Sequence, residues 1–398
     1  MGPCNSLFSN KKSNTQPPID KVLTKGAYLQ PKIEKKINLN AILENLSNAT
    51  IIRSISEING DAIRIDRCKD STIIIMDYSG QVSINECSNC IFFIAPCRGS
   101  IYLNKSSNIK LIGASSQFRC RDVLDSKISI FSASKPALER VKNLKISCFC
   151  FMYTELQEMF SKSELSIWDN CWSEYTNFSR SEDRTHSIKY FEVKSDSEFL
   201  AGYNKALKDQ EISLDQYYPV PFTSGMSQII LKESNHMLVV LREAYVDTSK
   251  LGELLKMELL SEMNIYLIKT CIEQKENNSL RELENILRKN KNIKSEFFST
   301  NYASNGAKDN PVNTNVNIKE EKNNNMTRNN FILLWFVTDE ENFDTYKNIL
   351  ENELEHFVCI LKKDFYDESN ANLESEALGK KKIKDIIKML FNDYDIEK

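Results

Sequence analysis

Histidine and net charge are both scarce in this chain of 398 residues. The three histidines, His186, His236 and His356, are scattered and have no nucleophile beside them in sequence. Each is therefore expected to be a packing or surface residue rather than a catalyst. The 52 lysines and arginines and the 55 aspartates and glutamates leave a net charge of −3, which gives no support to a nucleic-acid partner.

Long apolar stretches and nucleotide-binding loops are missing as well. Residues Phe331 to Val337 are apolar without interruption, whereas a helix that spans a membrane needs about 20 such residues. No Gly-x-x-x-x-Gly-Lys loop occurs, so the chain is not expected to hydrolyse GTP by itself. These absences exclude a spanning helix and a P-loop enzyme.

Cysteine is abundant, with eleven residues, but the number is odd and Cys68 and Cys87 lie one repeat apart. This spacing predicts buried thiols that act as small hydrophobic groups, in a reduced, intracellular compartment rather than a disulfide framework. Cys87 and Cys90 form a C-x-x-C pair, but no second pair lies at zinc-site spacing. We therefore predict no metal site and no cofactor in this chain.

A repeat of about 19 residues runs from residue 60 to residue 150. Within each unit apolar and polar residues alternate, which is typical of short β-strands. A fixed period of this length predicts a right-handed parallel β-helix, in which each repeat adds one coil and one stack of side chains faces inward. The period is carried by Ile65, Ile84, Leu103, Cys120 and Leu138, at intervals of 19, 19, 17 and 18 residues, and by Gly60, Gly80 and Gly99.

We predict two folded domains, a tail and a linker. Residues 1–37 form a basic, acylatable, flexible tail, and residues 38–180 form the β-helix. A polar linker follows at 181–216. Residues 217–398 form an α/β sandwich of ferredoxin-like type, in which the asparagine-rich insertion 295–329 is expected to be disordered because it has few large apolar groups.

The expected elements follow from hydrophobic periodicity. A helix at Tyr153–Phe160 is expected to cover the open end of the β-helix, as repeat folds require. In the C-terminal domain we predict strands at Met237–Leu241, Ile265–Ile272, Phe331–Val337 and Val358–Leu361, and helices at Thr248–Leu260, Ser279–Arg288 and 340–355.

The chain begins with Met-Gly-Pro-Cys-Asn-Ser, which is typical of an acylated N-terminus. Gly2 and Ser6 have myristoylation spacing, and Cys4 is available for palmitoylation. A basic stretch follows, so two membrane signals are present, as stable attachment needs. Pro3 departs from the usual pattern, and the alternative is an unmodified, disordered start. Acylation predicts a location at the cytoplasmic face of the plasma membrane.

The β-helix pattern changes at Gly113-Ala-Ser-Ser-Gln-Phe-Arg-Cys-Arg-Asp122. Phe118 and Cys120 keep the inward phase, so Gln117, Arg119 and Arg121 are expected to point outward from the same strand. Asp122 then points inward or lies in a turn, where it can orient an arginine. A plain solvated strand face is the alternative interpretation of this pattern.

The motif resembles a known domain. The run from Ser83 to Ser100, followed by Gln-Phe-Arg-Cys-Arg-Asp at 117–122, is similar to the tubulin cofactor C domain. Together with Met-Gly-x-Cys and an α/β C-terminal domain, it resembles the retinitis pigmentosa 2 protein family. This resemblance implies a GTPase-activating protein for an Arf-like small GTPase in its GTP state, with GTP and magnesium held by the partner. It also implies cargo trafficking, often at cilia or basal bodies.

The resemblance also implies roles for individual residues. Arg119 corresponds to an arginine finger, a guanidinium that neutralises charge on the transferring γ-phosphoryl group. Gln117 corresponds to the second of two family glutamines, and Ser116 occupies the place of the first. The remaining correspondences are Glu139 and Phe178 as contacts with the GTPase, and Arg121 and Asp122 as supporting residues.

The C-terminal domain resembles the nucleoside diphosphate kinase fold, whose kinases use an Asn-x-x-His-Gly-Ser-Asp motif. That motif is absent, so no kinase activity is expected. Two alternatives to the activator of an Arf-like GTPase remain open. The first is a tubulin-folding cofactor that activates GTP hydrolysis on β-tubulin, and the second is a scaffold that binds a GTPase without stimulating it.

Overall fold

The structure is a computed structural model that describes most of the two predicted domains. The described residues are 37–149, 151, 153–179, 187–191, 199, 203, 220–225, 235–255, 259–260, 263–274, 278–289, 330–338, 343–354, 357–361 and 373–391. Gly2, Cys4, His186, His356 and the asparagine-rich insertion lie outside these residues, so the predictions about them stay predictions, as do the domain limits.

The first part of the described chain is a parallel β-helix with two sheets, which confirms the predicted fold. The front sheet contains β1 (Ile42–Glu44), β3 (Ala62–Asp66), β5 (Gln81–Asn85), the second halves of β6 (Ile91–Ser107) and β7 (Lys110–Leu124), β9 (Ala137–Glu139) and β11 (Thr176–Asn177). The back sheet contains β2 (Thr50–Arg53), β4 (Thr72–Ile75), the first halves of β6 and β7, β8 (Lys127–Ser132), β10 (Leu144–Cys148) and β12 (Ile188–Tyr190).

The strand register reproduces the sequence repeat. Each member of the predicted inward stack pairs with the next one along the front sheet, and all five are buried in one core. These neighbours are Ile65, Ile84, Leu103, Cys120 and Leu138. Cys68 and Cys87 are free, buried thiols in the same core, as their spacing predicts.

The two sheets differ in what covers their outer faces. In the front sheet the residues between the inward ones are accessible to solvent, so the strands alternate. In the central strands of the back sheet both faces are buried, and Ile74, Phe93 and Phe131 form an outer layer beneath helix α1 (Leu156–Lys162). Burial on both faces explains the uninterrupted apolar strands there, because neither face is solvated. The front sheet is therefore the face that a partner can reach.

A column of glycines packs the coils closely at one corner. The amide of Gly99 donates to the carbonyl oxygen of Gly80 at 2.9 Å. A Cβ atom on Gly99 would lie 2.5 Å from that same oxygen, and one on Gly80 would lie 2.6 Å from the carbonyl oxygen of Gly60. The repeat of glycine in the sequence therefore reflects a corner that has no space for a side chain.

Two further corners are columns of residues with left-handed backbone. One column carries polar side chains that bond to one another: the amide nitrogen of Asn89 donates to Asp70, and that of Asn108 donates to Asn89, each at 2.9 Å. The other column carries the charged residues Arg67, Glu86, Lys105, Asp122 and Arg140, whose φ values lie between 46° and 55°. This second corner borders the candidate site.

The C-terminal domain is a four-stranded antiparallel sheet with helices, and it confirms the ferredoxin-like prediction. Its elements in chain order are β13 (Asn235–Arg242), α2 (Thr248–Leu254), β14 (Ile265–Gln274), α3 (Asn278–Lys289), β15 (Asn330–Thr338), α4 (Phe343–Glu353), β16 (Phe357–Leu361) and α5 (Leu373–Leu390). The spatial order β16-β13-β15-β14 is the order of a split βαβ fold.

The predicted strands are confirmed with small extensions, whereas the helices differ more. Helix α3 is one residue longer at each end than predicted, and α2 ends at Leu254 instead of Leu260. Helix α5 was not among the predicted elements. Its buried residues Ile383, Ile386, Ile387 and Leu390 have helical spacing, so its signal is present in the sequence.

A closing segment, residues 163–179, leaves α1 and leads to the front sheet. Helix α1 begins three residues later than the predicted cap, at Leu156, and covers the back sheet. In the closing segment Trp168 packs in the core of the C-terminal domain and Trp172 in the core of the β-helix. No helix within the described ranges is long and apolar enough to cross a membrane.

Candidate functional site

An open cleft of about 580 Å³ lies on the front sheet, where β7, β9 and β11 run side by side. It contains five of the residues that the sequence predicted for the site. The lining residues are Tyr102, Gln117, Arg119, Cys120, Arg121, Lys135, Ala137, Glu139, Thr176 and Phe178.

Arg119 points outward from β7 because its neighbours Phe118 and Cys120 fill the inward stack. Its guanidinium carbon lies 5.7 Å from the centre of the Tyr102 ring, which belongs to the coil below. This distance allows a cation–π contact, which holds a guanidinium without neutralising it. Among the described residues, no carboxylate forms an ion pair with Arg119, so its hydrogen-bonding edges remain available to an anion.

Gln117 and Ser116 have different positions although they are adjacent. Gln117 is exposed at the edge of the cleft and pairs with Ser100 of the neighbouring coil. Ser116 is half-buried and does not line the cleft, and its carbonyl oxygen accepts from the amide and from the hydroxyl of Ser134, each at 2.9 Å. The structure therefore brings Gln117 together with Arg119 but leaves Ser116 at the corner behind them.

Asp122 lies in the left-handed turn that ends this coil, and it does bind an arginine. That arginine is Arg140, whose Nε lies 2.6 Å from Asp122 Oδ1 and whose Nη2 lies 2.7 Å from Oδ2. The hydrogen bond from Arg140 holds the pKa of the Asp122 carboxyl below its usual value, and the same bond raises the pKa of Arg140. Arg140 also pairs with the neighbouring Glu139.

Arg121 belongs to this charge network, unlike Arg119. Its Nε lies 3.6 Å from Asp122 Oδ2 and 3.5 Å from Glu139 Oε2. The two outward arginines of β7 therefore have different environments, although the sequence alternation makes them equivalent. Arg121 is held between two carboxylates, whereas Arg119 stands over an aromatic ring.

Phe178 forms the far rim of the cleft. Its amide donates to the carbonyl oxygen of Leu138 at 2.8 Å, which extends the short pairing of β11 with β9. The residue is 62% exposed. An exposed aromatic ring beside a polar cleft is typical of a surface that contacts another protein.

A family model described as Tubulin binding cofactor C matches residues 60–178, a range that contains the cleft. The chain therefore carries a cofactor C domain. All the predicted site residues of the front sheet, from Ser116 to Phe178, lie within the matched range.

The relatives of the chain confirm the resemblance to the retinitis pigmentosa 2 family. Protein XRP2 of Danio rerio is 31% identical over 151 residues, which cover 38% of this chain and 40% of that protein. Protein XRP2 of Mus musculus is 27% identical over 235 residues, 56% of this chain and 62% of that protein. TBCC domain-containing protein 1 of Rattus norvegicus is 20% identical over 150 residues, 37% of this chain and 26% of that protein. The chain therefore spans less than two thirds of the length of these relatives.

Three residues of the cofactor C domain site were missed from the sequence. Tyr102 lies 17 residues before Arg119, so an alignment of the coils would have placed it beneath the guanidinium. Arg140 lies 18 residues after Asp122, in the same corner column. Lys135 lines the cleft from the turn before β9, and no periodic signal marks it.

Proposed function

We propose that this protein accelerates GTP hydrolysis by an Arf-like small GTPase, and that Arg119 is its arginine finger. One observation carries the proposal: Arg119 projects from a rigid strand into an open cleft and has no acidic partner among the described residues. A guanidinium in that position can enter the nucleotide site of a neighbouring protein. The match to the cofactor C family supports the same assignment.

The chemistry needs nothing from this chain except positioned charge. As the γ-phosphoryl group transfers to water, negative charge builds on its oxygens, and a planar guanidinium neutralises that charge with two hydrogen bonds. Such a residue contributes about 10³–10⁵-fold in rate, or roughly 4–7 kcal/mol of barrier. The partner holds GTP and magnesium, so no cofactor is needed here. Gln117, exposed beside Arg119 in the cleft, is the second catalytic residue in this proposal.

The other cleft residues form the docking surface in this proposal. Phe178 supplies apolar contact, and Glu139 with Arg121 supplies complementary charge at the rim. Asp122 acts indirectly, because its carboxylate faces Arg140 and Arg121. Ser116 lies behind the cleft, so we assign it no contact of its own.

Single-turnover GTP hydrolysis by candidate GTPases tests the proposal. The Arg119→Ala variant should lose at least about 10³-fold of the stimulated rate, and Arg119→Lys should recover little of it. Arg64→Ala is the matched control, since Arg64 is an exposed arginine in the same outward column of the front sheet. A stimulated rate that survives in Arg119→Ala would disprove the finger role.

The membrane role is part of the same proposal and depends on the N-terminal sequence. Acylation at Gly2 and Cys4 would hold the activator at the cytoplasmic face of the plasma membrane, near cilia or basal bodies, where it would act on carriers of lipidated cargo. Incorporation of labelled myristate that disappears in Gly2→Ala would support this. Equal incorporation in wild type and Gly2→Ala would contradict it.

A second candidate function is favoured by the name of the matching family, which is tubulin binding. In that case the same finger would act on GTP held by β-tubulin. Stimulation of tubulin GTP hydrolysis with no effect on Arf-like GTPases would select this function. Binding of either partner without any increase in rate would instead select the non-catalytic scaffold.

A further inference from the structure

We propose that the C-terminal domain positions the aromatic rim of the cleft through the closing segment, and that Lys269 is the positioning residue. The consequence for the partner rests on the proposed function, in which Phe178 contacts the GTPase. The positioning itself rests only on contacts within this chain.

The start of the closing segment is bonded to strand β14 of the C-terminal domain. The hydroxyl of Thr270 donates to the carbonyl oxygen of Trp168 at 2.5 Å, and the amide of Ile272 donates to Asp169 Oδ1 at 2.9 Å. The Trp168 ring packs in the core of the C-terminal domain. This part of the segment therefore follows any movement of β14.

A buried ion pair makes a third connection further along the segment. Lys269 Nζ lies 2.6 Å from Glu174 Oε1, and the two side chains are only 10% and 7% exposed. The same ammonium group lies 5.7 Å from the centre of the Phe391 ring, at the end of α5. Because a buried charge that loses its partner is strongly destabilising, this pair resists separation of β14 from the segment.

The cleft begins two residues beyond this ion pair. Strand β11 starts at Thr176, and its pairing with β9 covers two residues. The amide of Thr176 donates to the carbonyl oxygen of Pro136, and that of Phe178 donates to Leu138, each at 2.8 Å. A ladder this short orders an edge strand only weakly, so its position depends on the contacts that flank it, which include the Lys269–Glu174 pair before it and the hydrogen bond from the Arg140 amide to Ser179 Oγ after it.

Chain length makes the coupling direct. Phe178 is the fourth residue after Glu174, a distance of at most about 14 Å for an extended chain. Arg119 lies on β7, which is paired along its length with β6 and with β8 or β9, and none of these pairings involves Lys269 or Glu174. Loosening Lys269 should therefore affect the rim of the cleft and leave the finger in place.

Amide hydrogen exchange of the full-length protein tests the positioning without any partner. In Lys269→Met the amides of Thr176 and Phe178 should exchange at least about 10-fold faster, a change of about 1.4 kcal/mol in opening free energy. The Gly99 amide, which bonds within the β-helix, reports whether the fold is intact. The matched control is Glu164→Gln, which removes an exposed ion pair of the same segment with Arg98.

A second variant covers the case in which Lys269→Met does not fold. The double change Lys269→Met with Glu174→Gln removes the ion pair without leaving a buried charge. It should also speed exchange at Phe178. Unchanged exchange at Thr176 and Phe178, with Gly99 protected, would overturn the proposal in either variant.

If the rim positions the partner, loosening it should change KM for the partner without changing kcat. For GTP hydrolysis by the partner, Lys269→Met should raise KM about 10-fold with kcat retained, and Lys269→Arg should restore KM. A lowered kcat with unchanged KM would contradict the positioning role. If Arg119→Ala leaves kcat unchanged, the proposed function fails, while the exchange measurement still decides the role of Lys269.

Discussion

Acidification should destabilise the C-terminal domain through one buried histidine, His236. Its ring stacks on Trp335, with centres 5.9 Å apart, and its Nδ1 accepts a hydrogen bond from Trp335 Nε1 at 3.1 Å. Nε2 is buried, and none of the residues that the structure describes forms a hydrogen bond with it. Burial, with a smaller effect from the charge of Lys384, lowers the pKa of His236 from 6.5 to about 3. Protonation of Nδ1 would also break the bond to Trp335, so the folded domain keeps this ring neutral.

The size of the effect follows from the two pKa values. Since the unfolded chain binds the proton more readily, stability is fully retained above about pH 6.5 and falls as the pH drops towards 3. Each pH unit in this window costs about 1.4 kcal/mol, so pH 5 should cost the domain roughly 2 kcal/mol relative to pH 7.5. Asp169 acts in the opposite direction, because burial raises its pKa to about 6 and its protonated form is favoured in the fold.

The His236→Asn variant separates the effect of His236 on the pH dependence of stability from that of Asp169. In His236→Asn the amide oxygen can still accept from Trp335, while the titrating group is absent. The free energy of opening, from amide exchange of β13 and β15, should fall between pH 7.5 and pH 5 by roughly 2 kcal/mol more in wild type than in His236→Asn. The cavity left by the smaller side chain lowers stability equally at both pH values. Identical pH dependence in the two proteins would show that His236 is not the group that makes the domain sensitive to acid.

Two further predictions concern the β-helix. Gly99→Ala should lower the free energy of unfolding by about 1–3 kcal/mol, because the new Cβ would lie 2.5 Å from the carbonyl oxygen of Gly80; an unchanged urea midpoint would contradict this. Arg140→Ala should change the free energy of unfolding little, since its pair with Asp122 is partly exposed and screened by solvent. It should nevertheless raise KM for the proposed GTPase partner, because Asp122 and Glu139 lose the guanidinium that pairs with both; a KM equal to that of wild type would count against a role for the network.

The β-helix was predictable because its cause is local and repeated. An apolar residue returns at nearly constant spacing, so each coil has the same inward and outward positions. The strand register confirms these positions from Ile65 to Leu138. The outward position of Arg119 follows from the same alternation, because Phe118 and Cys120 occupy the inward stack. The ferredoxin-like order was predictable for a similar reason, as its strands are long apolar runs separated by helical periods.

The differences between neighbouring residues were not predictable from periodicity. Arg119 and Arg121 have the same phase, yet one stands over Tyr102 and the other lies between Asp122 and Glu139. Tyr102 comes from the coil before, 17 residues earlier than Arg119, and Glu139 from the coil after, 18 residues later than Arg121, whereas Asp122 is the next residue in the chain. Helix α5 was missed because its apolar residues occupy one narrow stripe of a lysine-rich stretch.

The sequence alone determined the coil, its solvated face and the strand from which Arg119 projects, because alternation and period act over a few residues. Tertiary structure alone decided which arginine is neutralised and how the far rim of the cleft is built. Glu139 beside Arg121 comes from the next coil, and the lysine beside Glu174 comes from the C-terminal domain. Contacts of that kind depend on how coils stack and domains pack, and no local pattern encodes them.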